Sequence, residues 1–116
     1  MKNKEQIQKI FIDFASILDT ESKWTQLWKA RDEINLACNA LAKNACKFSI
    51  EGALIKSLSF NKIKIDNPIY DQCFDILVKS LGRQHMDKVS KLQQWNDDSS
   101  FKDVQNLISK ILKSLE

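Results

Sequence analysis

Residues 20–45 read TESKWTQLWKARDEINLACNALAKNA, and how this stretch is read decides the fold. Trp24, Leu27, Trp28, Arg31, Ile34, Cys38, Leu41 and Ala45 recur at spacings of three and four, which is the period of one helix face. Asp19-Thr20-Glu21-Ser22 supplies a cap and an acidic first turn. The spacing therefore predicts a helix running to about Ala45, roughly 35 Å long at a rise of about 1.5 Å per residue. A helix of that length would form the spine of an all-α chain.

Upstream, Ile7, Ile10, Phe11, Phe14, Ile17 and Leu18 form a stripe that predicts a helix from about Asn3 to Leu18, with Ile12 off the stripe. Downstream, Ser49 is a cap for a short helix carrying Ile50, Ala53, Leu54 and Leu58, which Gly52 weakens by about 1 kcal/mol relative to Ala. Phe60 to Ile65 ends in period-two alternation and reads as an extended segment with no evident strand partner.

Asp66-Asn67-Pro68 is the clearest punctuation, with Asn67 as cap and Pro68 at the first helical position. The helix after it carries Ile69, Tyr70, Cys73, Phe74, Ile76, Leu77, Val78 and Leu81 around most of its circumference and is expected to be the most buried. Gly82 ends it. Arg83 to Trp95 reads as a weaker helix with Met86, Val89 and Leu92 inward, and residues 96–100 as a polar turn. Ser100 and Asp103 form a capping box for a last helix with Phe101, Val104, Leu107, Ile108, Ile111, Leu112 and Leu115 inward.

The expected architecture is all-α: a compact, single-domain bundle of about five or six helices over residues 1–116. Two Gly and one Pro in 116 residues argue against all-β folds, which need frequent turn residues. No signal-peptide core and no apolar run near the roughly 20 residues of a membrane span are visible. With Cys38, Cys46 and Cys73 unpaired in number, a cytoplasmic chain with reduced thiols and no membrane association is expected.

Catalytic chemistry has little to stand on. His85 is the only histidine, and no nucleophile motif accompanies it. Cys38, Cys46, Cys73 and His85 lack the closely spaced pairs of structural zinc sites. Gly52 and Gly82 are isolated, whereas phosphate-cradling loops need clustered glycines. Asp32-Glu33 and Asp97-Asp98 read as solvated charges. The chain is expected to be no enzyme and to use no cofactor or metal.

Binding has more support. The net charge is +3, and Lys43, Lys47, Lys56, Lys62 and Lys64 face a single acid, Glu51, between residues 43 and 64. Asp66, Asp71 and Asp75 then follow without a base. Lys56, Lys62 and Lys64, with Asp66, Asp71 and Asp75 as polar neighbours, are the candidate contacts for a protein partner. The alternative is a helical RNA- or DNA-binding accessory protein using the basic segment on phosphates, with Phe48 and Phe60 either stacking bases or anchoring the segment. Trp24, Trp28 and Arg31 share the expected helix face, which either packs in the core or meets a partner.

Two resemblances bear on the choice. Lys23-Trp24, Leu27, Arg31-Asp32-Glu33-Ile34-Asn35 and Ser49-Ile50-Glu51-Gly52-Ala53 resemble a stretch in the anticodon-binding region of isoleucyl-tRNA synthetases, which implies a minor tRNA-binding alternative. In size, Lys/Asn-rich composition, compactness and missing catalytic groups, the whole chain resembles small bacterial immunity proteins, including those of contact-dependent inhibition. That resemblance implies an antitoxin that occludes a cognate toxin domain through an interface of about 800 Å² per partner.

Overall fold

The computed structural model describes residues 2–82 and 88–116. His85, Met86 and the start of the helix expected at Arg83 lie outside the described residues, as does the side chain of Val89. The chain is mainly helical with a small sheet: α1 (Lys2–Ile17), a 3-10 turn (Glu21–Lys23), β1 (Ala30–Arg31), β2 (Ala37–Cys38), β3 (Lys47–Phe48), α2 (Ile50–Phe60), α3 (Pro68–Ser80), α4 (Lys88–Asp98) and α5 (Phe101–Ser114).

The all-α expectation fails over residues 20–45. In place of one long helix, the three short strands form an antiparallel sheet in the order β2-β1-β3, with Ala30 opposite both Cys38 and Phe48. The polar residues in the stretch explain this. The Asp32 carboxylate accepts the Ile34 and Leu36 N–H groups, each at 3.0 Å, and the Asn39 side chain accepts Leu41 N–H at 2.9 Å. Asn35 sits at φ 70° in the left-handed region that Asn tolerates. Short polar side chains that bond nearby backbone compete with the helical ladder. Here they close the β1–β2 hairpin and the start of the β2–β3 connection.

Among the described residues, α2 is the most buried helix, a place expected for α3. Ile50, Glu51, Gly52, Ala53, Leu54, Ser57 and Leu58 are all buried along it, against Ile69, Cys73 and Leu77 on α3. Ser49 caps α2, its hydroxyl accepting Gly52 N–H at 3.1 Å. Gly52 has a steric reason to be glycine: a Cβ there would collide with the Lys29 carbonyl, where the chain enters β1. The short helix thus fits tightly under the sheet.

The local cap and stop signals at Asn67-Pro68, Gly82 and Ser100 hold. Asn67 caps α3 by accepting Ile69 N–H at 3.0 Å, Pro68 opens it, and Gly82 follows it at φ 77°. Ser100 and Asp103 form both bonds of the capping box at the start of α5. Phe60 ends α2, so no strand forms over 60–65. Among the described residues one buried apolar cluster joins Phe11 and Phe14 of α1, Leu54 and Leu58 of α2, Leu77 of α3, Leu92 of α4 and Val104 and Ile111 of α5 with Ala30 and Phe48 of the sheet. No described helix is long and apolar enough to cross a membrane.

Asn96 ties the sheet-bearing segment to the helices. It is fully buried near the end of α4, in what the sequence suggested was a polar turn. Its Oδ1 accepts Trp24 Nε1–H at 2.8 Å and Ile50 N–H at 3.0 Å, and its Nδ2 donates to the Thr25 carbonyl at 2.9 Å. Gln26 Nε2 bonds the Asp97 and Ser99 carbonyls at 2.8 and 3.0 Å. Burial of these polar groups is tolerated because each has a partner.

Candidate functional site

An open apolar groove of about 680 Å³ runs between the β2–β3 connection, α2 and the start of α3. Ile55 and Ser59, one turn apart on α2, form one wall with Ile63. Tyr70, in the first turn of α3, closes one side, and Leu41 from the β2–β3 connection closes another. Ile65 stands 76% exposed at the mouth, and Leu41 is 50% exposed. Large aliphatic side chains left in water around one concavity mark a binding surface more strongly than scattered ones do.

Lys62 and Lys64 sit on the same groove, and among the described residues no lining side chain is acidic. Lys62 holds φ at 58°. It occupies the position after the C-cap of α2, where Lys62 N–H bonds the Ser59 carbonyl and Ile63 N–H bonds the Leu58 carbonyl, both at 3.0 Å. This pair of bonds is a Schellman ending, which ordinarily takes glycine at the left-handed position. A lysine there bears a steric strain of roughly 1 kcal/mol.

Behind the groove, Tyr70 stacks at a tilt on Phe74, with ring centres 5.2 Å apart. Burial, and then the charges of Glu51 and Asp71, push the Tyr70 hydroxyl pKa up. Glu51 is itself buried, and desolvation raises its carboxyl pKa despite Lys29 Nζ at 3.9 Å.

The six candidate contacts therefore separate. Lys62 and Lys64 line the groove, while Lys56 lies outside it with its ammonium over the Phe60 ring, 5.3 Å from the centre. Asp66 and Asp71 are exposed and Asp75 is half-buried, and none of the three lines the groove. Leu41, Ile55, Ile63, Ile65 and Tyr70 were not singled out as contacts. The alternation puts Ile63 and Ile65 on one face, but turns at 61–62 and 65–66 leave Ile63 buried and Ile65 in solvent.

The aromatic–Arg face dissolves with the helix that was to carry it. Trp24 is half-buried, its ring 6.1 Å from that of Phe101. Trp28 is 53% exposed. Arg31 braces the hairpin, donating from Nε to Thr25 Oγ1 at 2.8 Å and from Nη1 to the Asn35 carbonyl at 2.9 Å. Phe48 is buried and anchors β3, so it offers no ring for stacking, whereas Phe60 is exposed. Cys38 is half-buried on β2, Cys46 exposed before β3, and Cys73 buried in α3, where burial pushes its thiol up to about 12. A thiol so shifted is inert at neutral pH.

No protein-family model, curated protein or solved structure matches the chain.

Proposed function

We propose that the chain is a non-catalytic protein-binding module whose docking surface is the lysine-rimmed groove. The observation that carries this is the meeting of solvent-exposed Leu41 and Ile65 with Lys62 and Lys64 around one concavity. Interface centres combine an apolar anchor with peripheral charge in this way. The lysines select a partner face rich in carboxylates and speed its encounter.

The resemblance to small bacterial immunity proteins gives this module its concrete form: an antitoxin that neutralises a cognate toxin domain by covering a working surface. A net charge of +3 suits a toxin that presents an acidic face.

The test is affinity capture from cells expressing the chain, washed at moderate and at high salt, with protein and nucleic acid both identified. A stoichiometric toxin that survives high salt and is lost on joint charge reversal, Lys62→Glu with Lys64→Glu, is the expected result. Nucleic acid that washes off steeply as salt rises would replace this reading with a phosphate-binding one.

A further inference from the structure

We infer that the groove takes an apolar side chain from an acidic segment of the partner, and that Lys62, at the left-handed position of the α2 ending, meets a carboxylate of that segment. This rests on the protein-binding reading above and specifies its ligand. Ile63 and Ile55 give the groove an apolar wall, and Leu41 and Ile65 stand exposed at its edge. An open volume of about 680 Å³ has room for an apolar side chain together with neighbouring residues of its segment.

Charge fixes the rest of the ligand's chemistry. Among the described residues, both charged side chains on the groove are lysines, two positions apart on one short connection. A segment with carboxylates beside its apolar anchor is complementary, and one with lysines is repelled. The backbone adds an independent observation. The Schellman ending of α2 favours glycine at position 62, yet a lysine stands there at φ 58° and lines the groove. Residues held in sparsely populated conformations cluster at ligand clamps and switch regions, and of the three non-glycine residues at positive φ among those described, Lys62 is the one that lines the groove.

The experiment measures fluorescence anisotropy of labelled peptides on the full chain. The probe has the pattern Glu-Glu-Ser-Leu-Ser-Glu-Glu. Its counterparts carry Lys for every Glu, or Ser for the Leu, and a single-stranded oligonucleotide is the nucleic-acid probe. The acidic Leu peptide is expected to bind, with affinity falling about five-fold or more in Lys62→Gly and in Lys64→Glu. Lys62→Gly is also expected to raise Tm by about 3 °C, because it removes the strain. A residue with only a structural role would move Tm and leave binding unchanged. Ile65→Ser, at an exposed position, should abolish binding with Tm intact.

Equal binding of the Lys-bearing or Leu-less peptide, stronger binding of the oligonucleotide, indifference to the Lys62 and Ile65 substitutions, or no binding of the acidic peptide would each overturn the inference. A toxin captured from cells whose affinity ignores Leu41, Lys62 and Ile65 would overturn it too, while leaving the protein-binding reading in place. Salt-labile nucleic acid captured in place of any protein would overturn both.

Discussion

The carboxamide oxygen of Asn96 accepts the indole N–H of Trp24 at 2.8 Å across 72 positions of sequence. The same oxygen takes Ile50 N–H at the start of α2, and the amide donates to the Thr25 carbonyl. One side chain thereby holds α4, α2 and the chain leading into the sheet. Asn96→Ala leaves buried donors and an acceptor without partners, and should cost about 3 kcal/mol in urea unfolding. Trp24→Phe keeps much of the packing against Phe101 and leaves Asn96 one donor, so its cost should be smaller, about 1–2 kcal/mol.

Gly52→Ala sets propensity against packing. In an unobstructed helix the change would stabilise by about 1 kcal/mol. Here the new methyl group meets the Lys29 carbonyl, which is fixed by Ser49 N–H at 3.0 Å. Destabilisation by about 2 kcal/mol is expected. A Gly52→Ala variant as stable as the parent would show that the entry to β1 yields easily.

Lys62→Gly should move stability the other way. Glycine adopts φ 58° without the Cβ penalty, at the cost of a freer unfolded chain. A net gain of up to about 1 kcal/mol is expected in thermal or urea unfolding. Lys62→Asn, which tolerates the same conformation, should fall between parent and glycine.

Glu51 gives the fold a pH dependence of determined sign. Desolvation raises its folded-state pKa above the usual 4.5, even with Lys29 nearby. Its ionised form therefore destabilises the fold. Stability from this residue grows as pH falls from neutral through the raised pKa, and the gain is complete below 4.5. Asp13 acts oppositely and at lower pH. Burial pushes its pKa up, but hydrogen bonds from Lys9 and Asn61 and the Lys9 charge outweigh this and hold it below 3.8, so its contribution is lost as pH falls through that lowered value. Glu51→Gln should be more stable than the parent at neutral pH, with the difference shrinking toward pH 4.5 in urea titrations. A difference that stayed constant with pH would contradict the assignment.

The legibility of the fold in the sequence follows the range of the interactions. Asn67-Pro68, Gly82 and Ser100 with Asp103 act within a few residues, and each marks the helix end it was expected to mark. Residues 20–45 were misread because Trp24, Leu27, Trp28 and Ile34 meet a helical period without making a helix. Asp32, Asn35 and Asn39 carried the contrary signal, but Asn96, which ties Trp24 and Thr25 to α4, lies far along the chain. Lys62 and Lys64 were legible as a basic pair. The groove beside them was not, because Leu41 reaches it only through the turns that replace the expected helix.

The most direct test of a protein partner in the groove is photo-crosslinking in cells, with a benzophenone amino acid replacing Asp66, exposed beside Ile65, or, as a control, Gln105 on α5. A protein adduct at position 66, absent at position 105 and lost when Lys62 and Lys64 are changed to Glu, is the predicted result. Equal adducts at both positions, an adduct at 66 that ignores the lysines, or no adduct at either position would contradict the account.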